Sequence, residues 1–413
     1  EHYLHSPSGG KGGCIACSKA NGWLGPIVGL ATILLLGAAL VRCKSKLAAF
    51  AARNQAWLAS LAQKAVLFLI FLQIITVLKA NHDTMDGALA MAEPYRTYLA
   101  IVSVVDLDIA TLLPLNCMSD SHFDHMDVLL TTTLVPPMIL LALLFTAFVL
   151  RRGNKAAMEK YYIQAMLFAY PTISRTICQS FRCSEFDDGT NSGVRFLTAD
   201  MSIDCHSDRY SVMATYAALS LLVYSFGIPL VLFLKLYKWR HELNPPGYED
   251  EARAIKTRMK NKKMLADPIV SFAVQFRPHR WWYEVYTLGR RFALTSLVLA
   301  FQTLESYTVY VLAIAVVALV LDREWVPHID RYASAFNHAL NVQVLLAPLY
   351  MLLVDAEMLQ GEYSVSISVG LLLLNVLMVG AMSYAAAREI RQGQAKANQL
   401  KTLNAQLLID KRE

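Results

Sequence analysis

Residues 183–205 read CSEFDDGTNSGVRFLTADMSIDC and separate two long apolar runs, Tyr161–Phe181 and Tyr210–Leu236. Each run is long enough to cross a bilayer, because a spanning helix needs about 20 mostly apolar residues. The intervening loop is acidic and has a cysteine at each end, whereas basic residues follow the second run at 235–241. Since lysine and arginine concentrate on the cytoplasmic side of membrane proteins, we expect the loop to face outward, where disulfides persist.

The composition of the chain is typical of a membrane protein. Of its 413 residues, 55% are hydrophobic and 17% are charged, against roughly a quarter charged in an ordinary soluble domain. The mean hydropathy is +0.38. The basic residues behind the net charge of +6 flank apolar runs, so they indicate topology and contact with membrane lipids rather than nucleic-acid binding. The sequence opens without an initiator Met or signal peptide, which predicts an internal or mature fragment.

Apolar runs recur along the chain and predict an all-α polytopic transmembrane bundle of about nine crossings plus one re-entrant or interfacial segment, Tyr95–Leu115. The basic residues that flank the neighbouring runs place the chain on the same side of the membrane before and after that segment. If the segment is a full crossing instead, one of the other runs does not cross. The N-terminus is expected outside and the C-terminus in the cytoplasm. The crossings are expected at Trp23–Val41, Leu58–Leu78, Val128–Leu150, Tyr161–Phe181, Tyr210–Leu236, Trp281–Phe301, Tyr307–Leu321, Ala333–Leu353 and Tyr363–Ala387.

The same pattern divides the chain into five regions. Residues 1–22 are rich in Gly, Ser and Cys, and residues 23–236 form the first half of the bundle. A basic cytoplasmic linker at 237–280 leads to the second half at 281–388, and 389–413 is a cytoplasmic C-terminal helix. An imperfect coiled-coil pattern in this last helix is compatible with homo-oligomerisation, and an exposed, solvated helix explains it equally well.

The cysteines agree with this topology. Six of the seven lie outside or near the outer boundary, and only Cys43 falls on the reducing side. We expect disulfides between Cys183 and Cys205 and, as a second pair, between Cys117 and Cys178. The alternative for the second pair is that Cys178 is a small, buried apolar residue.

Ionisable and amide side chains at membrane depth are candidates for function, because such groups are unfavourable there unless they face a cavity or a partner. Asp106 and Asp108 in the re-entrant segment are candidates to coordinate a cation near the outer mouth of a pore. The alternative is that they belong to a solvated surface loop or a helix cap. Asn337 and Asn341 lie one helical turn apart; they suit an ion pathway, although such amides more often bond between helices.

A second group of charges lies in the run that begins at Trp281. Glu284, Arg290 and Arg291 are expected to form an internal salt-bridge cluster that ties this span to its neighbours, and Glu284 is also a candidate for the ion pathway or a gate.

The linker carries a cluster of basic residues. We expect a solvated cytoplasmic helix that helps to set topology. The alternative is attraction to anionic lipid head groups, which contributes about 1 kcal/mol per basic residue near the surface. The residues concerned are Lys256, Arg258, Lys260, Lys262 and Lys263.

Several motifs resemble the transmembrane region of the TRP-like polytopic proteins of algae and protists, which is similar in layout to the fungal TRP-like flavin-carrier family. Such proteins commonly follow cysteine-rich, EGF-like or ephrin-receptor-like repeats. The resemblance implies that residues 1–22 end an extracellular cysteine-rich region, and that the chain is a cation channel or sensory protein of the plasma or ciliary membrane. The motifs are LFLIFLQIIT (67–76), VVDLDIATLLPLNC (104–117), Tyr170-Pro171, LTADMSIDC (197–205), FGIP (226–229) and RWWYEVYTLGRR (280–291).

Enzyme, cofactor and metal chemistry find little support in the sequence. It contains no GxSxG, HExxH, P-loop or supported GxGxxG motif. The CIAC motif at 14–17 has no second CxxC or His pair to complete a zinc site, so it is interpreted as the end of a disulfide-stapled module. His122 and His125 form only a weak metal-like cluster. We therefore expect no enzyme activity, no cofactor and no bound metal.

Three functions remain as hypotheses. The first is a TRP-like cation channel or sensor, although the chain lacks a voltage-sensor arginine ladder and a TVGYG-type filter. The second is a non-conducting anchor that holds a large extracellular cysteine-rich or filamentous glycoprotein partner at a cilium or cell surface. The third is a lipid transporter or scramblase, which requires a polar groove open to lipid.

Overall fold

The computed structural model describes residues 3–6, 13–16, 55–85, 87–106, 124–149, 155–186, 194–246, 250–359 and 361–410, and across them the chain is mostly helical. Five helices in this part of the chain are long and apolar enough to cross a membrane: Ser60–His82, Asp208–Lys238, Leu304–Trp325, Arg331–Asp355 and Gly361–Gln392.

The secondary structure alternates long helices with short connections, apart from one hairpin and one small sheet. Helix α5 contains a π-helical segment, Leu221–Phe226. In chain order the elements are β1 Tyr3–Ser6, β2 Gly13–Ala16, α1 Gln55–His82, α2 Tyr95–Val102, α3 His125–Val149, α4 Lys155–Gln179, β3 Cys183–Phe186, β4 Val194–Leu197, β5 Asp200–Asp204, α5 Asp208–Lys238, α6 Arg240–Leu243, α7 Glu251–Lys260, α8 Lys262–Leu265, α9 Val270–Ala273, α10 Tyr283–Thr295, α11 Leu304–Trp325, α12 Arg331–Asp355 and α13 Gly361–Asp410.

The remaining expected crossings have different outcomes. The runs at 128–150 and 161–181 correspond to helices α3 and α4. The run at 281–301 is a 13-residue helix, α10, followed by a 3₁₀ turn at Leu297–Ala300. The run at 23–41 lies outside the described residues. The total of nine crossings and their orientation therefore stay predictions.

Helix α1 is the central element of the bundle. Its residues Ile74, Ile75, Val77 and Leu78 are at most 1% exposed, so no face of this stretch meets lipid or water. Helices α10, α12 and α13 all pack against it. Burial of an apolar helix on all sides is typical of the centre of a bundle.

The bundle has two chemically different ends. The "sheet end" contains His82 at the end of α1 and Asp355 at the end of α12. A hydrogen bond of 2.7 Å joins His82 Nε2 to Asp355 Oδ2. The "linker end" contains Lys64 of α1 and Asp330 before α12, which are 2.8 Å apart. These two pairs fix α1 and α12 side by side over most of their length.

A three-stranded antiparallel sheet of β3, β4 and β5 lies at the sheet end, where the sequence predicts only a loop. The disulfide between Cys183 and Cys205 closes it. The second expected disulfide is not present, because Cys178 is a free cysteine on the last turn of α4; Cys117 lies outside the described residues. The β1–β2 hairpin places Cys14 opposite His5.

The segment that begins at residue 87 stays near the sheet end as far as Asp106. The Leu89 N–H donates to Asp355 Oδ1 at 2.9 Å, and the Tyr95 N–H donates to Ser368 Oγ of α13 at 2.9 Å. Asp106 closes the 3₁₀ turn after α2 and contacts Thr76 of α1. Thr76 lies six residues before the end of α1, which is about 9 Å at 1.5 Å per residue.

The linker folds against the linker end rather than extending away from it. The Arg277 N–H donates to Pro327 O at 2.8 Å, and the Ile329 N–H donates to Gln275 O at 3.1 Å. Gln63 of α1 donates to the side chain of Gln275 at 3.1 Å. The segment at 274–280 is therefore attached both to α1 and to the turn between α11 and α12.

Candidate functional site

Asp106 lies inside the bundle, only 5% exposed. Thr76 Oγ1 donates to its Oδ1 at 2.5 Å, and the Thr172 hydroxyl of α4 donates to its backbone carbonyl. Asp106 therefore links α2 to α1 and α4, and the alternative of a solvated surface loop is wrong for this residue. Asp108 lies outside the described residues.

Asn337 belongs to a second buried cluster, near the linker end. Its Nδ2 donates to Asp322 Oδ1 at 2.6 Å, and the Tyr283 hydroxyl donates to the same oxygen at 2.9 Å. His338 Nδ1 lies 3.7 Å from the other carboxylate oxygen. This carboxylate, 3% exposed, joins α10, α11 and α12. The sequence missed it because Asp322 sits one residue past the expected end of its span.

Asn341 contacts Arg290 one turn further along α12. Arg290 Nη1 donates to Asn341 Oδ1 at 2.6 Å, so this amide bonds between helices. Its Nδ2 is buried and has no partner among the described residues. The predicted ion-pathway residues therefore lie in two separate places: Asp106 near the sheet end, and Asn337 and Asn341 towards the linker end.

The expected salt-bridge cluster is not formed as direct ion pairs. Among the described residues, no ion pair joins Glu284 to Arg290 or Arg291, although Glu284 and Arg291 interact electrostatically. Arg291 instead donates from Nη1 to the Leu167 carbonyl of α4 at 3.2 Å. Leu167 lies four residues before Pro171, and proline has no N–H to bond the carbonyl four residues earlier. Arg291 therefore replaces a missing helical donor.

A side-chain donor replaces the missing N–H of a proline at two further places. The Tyr170 hydroxyl of α4 donates to Ser225 O at 2.8 Å, four residues before Pro229 of α5. The Tyr224 hydroxyl of α5 donates to Thr133 O, four residues before Pro137 of α3. Three prolines thus bring three neighbouring pairs of helices together through backbone carbonyls.

His82 and Asp355 form a buried pair at the sheet end that the sequence did not predict. Their side chains are 1% and 6% exposed, and Asp355 also accepts the N–H of Leu89. The ring of His82 lies 6.4 Å from that of Tyr307. The pair holds α1, α12 and the segment after residue 87 in one arrangement. Each residue is the last of its helix, where the sequence pattern indicates only a loop boundary.

The basic cluster of the linker is divided by burial. Arg258 is 1% exposed, and its Nη2 donates to Phe276 O at 2.9 Å and to Val274 O. Burial lowers the pKa of Arg258 to about 10, and the negative charge of Glu251 acts in the opposite direction. Arg258 therefore fixes α7 to the protein and is not a lipid contact. The other four expected residues are exposed: Lys256, Lys260, Lys262 and Lys263.

The described residues offer no group of three or more His, Cys, Asp or Glu side chains that could hold a metal ion. His125 Nε2 lies 3.0 Å from the Ser180 hydroxyl, and the backbone N–H of His125 donates to Asp200 Oδ2 at 3.0 Å. His125 thus attaches α3 to the sheet end. His122 lies outside the described residues.

Comparison with known proteins gives one informative match. The chain is 25% identical over 225 residues to cysteine repeat modular protein A of Toxoplasma gondii, and the match covers 51% of this chain. The aligned region spans only 6% of the length of that protein. No protein-family model and no solved structure matches the chain.

Proposed function

We propose that this chain is the membrane domain of a larger cell-surface protein and anchors a cysteine-rich extracellular region. The observation that carries the proposal is the attachment of the disulfide-closed sheet to the ends of the helices. Arg182, just before β3, donates from Nη1 to Thr84 Oγ1 after α1 at 2.8 Å. The backbone N–H of His125, at the start of α3, donates to Asp200 Oδ2 of β5 at 3.0 Å. A sheet held at two places suits a rigid base for further extracellular modules.

The similarity to a cysteine repeat modular protein supports this proposal. That protein is far longer than the matched region, and its name describes a modular protein with cysteine repeats. A long series of cysteine repeats next to a membrane domain is the arrangement expected of an anchor.

In the proposed orientation the sheet end is extracellular and the linker end is cytoplasmic. The disulfide lies at the sheet end, where an oxidising compartment preserves it. The exposed lysines of α7 and α8 belong to the linker, as the positive-inside rule requires. The segment from residue 87 to Asp106 then lies in the outer part of the bundle, where it contacts α1, α12 and α13, and these contacts support the proposal that Tyr95–Leu115 is re-entrant.

A cation channel or sensor is the second candidate, and the buried carboxylate of Asp322 favours it. Asp322 lies among an amide, a tyrosine hydroxyl and a histidine, and ionisable groups at such depth often mark ion pathways. We place it second because two of its candidate residues, Asp106 and Asn337, lie towards opposite ends of the bundle and already bond to neighbouring helices.

Replacement of the bundle distinguishes the two candidates. In the full-length protein, residues 23–413 are exchanged for an unrelated single-span helix with a basic cytoplasmic flank. An anchor predicts that the ectodomain stays at the cell surface and keeps its function. Loss of function with a normal amount of surface ectodomain contradicts the anchor proposal.

Recording from the purified full-length protein in liposomes tests the channel directly. Cation currents that Asp322→Asn or Asp106→Asn weakens, in protein that keeps its unfolding temperature, establish conduction. Silence under voltage, stretch and changes of lipid composition contradicts the second candidate.

A further inference from the structure

A cavity of about 480 Å³ lies at the sheet end, where the non-helical stretch at 88–92 meets the end of α12 and the start of α13. Its walls are mainly apolar and include Leu89, Ala90, Val354 and Leu359. Leu89 is 41% exposed, so the cavity opens at the surface of the protein. A mostly apolar cavity of this size with few polar groups is typical of a small-molecule site.

Hydrogen bonds hold the three walls of this cavity together. The Leu89 N–H donates to Asp355 Oδ1 at 2.9 Å, and the Ala92 N–H donates to the Tyr350 hydroxyl at 3.1 Å. The Tyr350 hydroxyl also contacts Ser364 Oγ of α13 at 2.9 Å. Each of these bonds joins two of the walls. The cavity is therefore formed before a ligand arrives, and such preorganisation reduces the cost of binding.

The lining of the cavity includes one charged residue, Glu357, which follows the end of α12. Glu357 is exposed, and among the described residues its carboxylate has no hydrogen-bond or ion-pair partner. The hydroxyl of Ser364, by contrast, is already bonded to that of Tyr350. The cavity thus offers a free acceptor of negative charge beside apolar walls.

The charge around the cavity is negative. Residues 354–387, which include two of its walls, contain no lysine, arginine or histidine. Glu362 adds a second exposed carboxylate in the first turn of α13. The basic residues at the end of α1 and in the segment at 87–106 already have acidic partners: Lys79 with Asp83, His82 with Asp355 and Arg96 with Glu93. The negative charge of Glu357 is therefore not neutralised by these residues.

We propose that this cavity binds an organic ammonium ion that carries a compact apolar group. The apolar group contacts Leu89, Val354 and Leu359, and the ammonium group donates a charge-assisted hydrogen bond to Glu357. A metal ion requires several oxygen ligands, whereas the lining contains one carboxylate. An anionic ligand is disfavoured by that carboxylate. An anchor needs no such site, and the inference is independent of the anchor proposal.

Protection of an introduced thiol tests the site in the purified full-length protein. Ala90→Cys places the thiol in the lining of the cavity. Tyr363→Cys is the control, because this residue is 77% exposed in the first turn of α13 and does not belong to the lining. Labelling by N-ethylmaleimide, a small neutral reagent, is read at each position by mass spectrometry. A probe that merely partitions into detergent affects both positions alike.

Three probes share a phenylethyl group and differ in charge: phenethylammonium, phenylethanol and phenylpropanoate. We expect labelling at position 90 to be slowed at the lowest concentration by the ammonium, then by the alcohol and last by the carboxylate. Added to Ala90→Cys, Glu357→Gln is expected to raise the half-protecting concentration of the ammonium about two- to fivefold, as for loss of an exposed ion pair. The value for the alcohol is expected to stay unchanged. Glu362→Gln, outside the lining, serves as the matched control and keeps all three values.

Three outcomes overturn the assignment. They are equal or absent slowing by the ammonium at positions 90 and 363, equal protection of position 90 by all three probes, and an unchanged preference for the ammonium in Glu357→Gln. The second would show an apolar groove for a lipid chain instead. Because Glu357 is exposed, Glu357→Gln is expected to fold, and its unfolding temperature without probe reports this.

Discussion

Three prolines in the bundle show how single residues connect its helices. Pro137, Pro171 and Pro229 each leave a carbonyl without its helical donor, and Tyr224, Arg291 and Tyr170 supply the replacements. The sequence showed the prolines and the deep arginine as separate features. Their relation depends on which helices are neighbours, and that is not visible in a local pattern.

Because Arg291 replaces the helical N–H that Pro171 lacks, substitutions at these two residues are expected to have non-additive effects on stability. Arg291→Leu leaves the buried Leu167 carbonyl without a donor, and a buried polar group that loses its partner costs about 1–3 kcal/mol. Pro171→Ala restores the missing helical N–H. We therefore expect Pro171→Ala to recover part of the stability lost in Arg291→Leu, measured by thermal unfolding in detergent. Equal effects of Pro171→Ala with and without Arg291 would contradict this explanation.

His328 predicts a dependence of stability on pH. It lies in the turn between α11 and α12, 1% exposed, against the ring of Phe276 at 5.1 Å. Burial lowers the pKa of His328 from 6.5 to about 4. The negative charge of Asp330 acts in the opposite direction, and the positive charge of Lys64 lowers the pKa further. Because the folded state disfavours the proton, this contribution to stability is full above pH 6.5 and declines as the pH falls towards 4.

His328→Phe removes the titrating group and keeps a ring at this position. The drop in unfolding temperature between pH 7 and pH 5 is expected to be smaller in this variant than in the wild type. Substitution of His206, which is 65% exposed on the sheet side, serves as the control and leaves the drop unchanged. An unchanged drop in His328→Phe would refute the assignment.

At the scale of elements, the linker shows how burial divides one run of basic residues between two roles. Arg258 faces the protein and Lys256, Lys260, Lys262 and Lys263 face outward. Aromatic residues lie close by: Trp282 and Trp325 have ring centroids 4.9 Å apart, at the start of α10 and the end of α11. Tryptophans concentrate at membrane interfaces, so we propose that the lysines lie near anionic lipid head groups.

Replacement of these four lysines by glutamine tests the lipid contact. We expect the protein in nanodiscs to lose the extra stability that anionic lipid gives the wild type, at about 1 kcal/mol per lysine at low salt. Replacement by arginine keeps the charge and the effect. The same response to anionic lipid in the glutamine variant would rule out the contact.

At the scale of the whole molecule, the apolar runs predicted most of the long helices, because length and hydropathy are local properties. Helix α10 is shorter than its run, since the chain turns through a 3₁₀ segment after Thr295, whose carbonyl accepts from Asn81 of α1. The small sheet was missed because its strands have only four or five residues. Contacts such as His82 with Asp355 join residues 273 positions apart, beyond the reach of any sequence pattern.

The orientation of the two ends is central to the anchor proposal, and tag accessibility in intact cells measures this orientation. One short epitope is inserted at residues 187–193, between β3 and β4, and another at the C-terminus, each in the full-length protein. We expect antibody to reach the first epitope without permeabilisation and the second epitope only after permeabilisation. The reverse pattern, or staining of both epitopes on intact cells, would contradict an extracellular sheet on a membrane anchor.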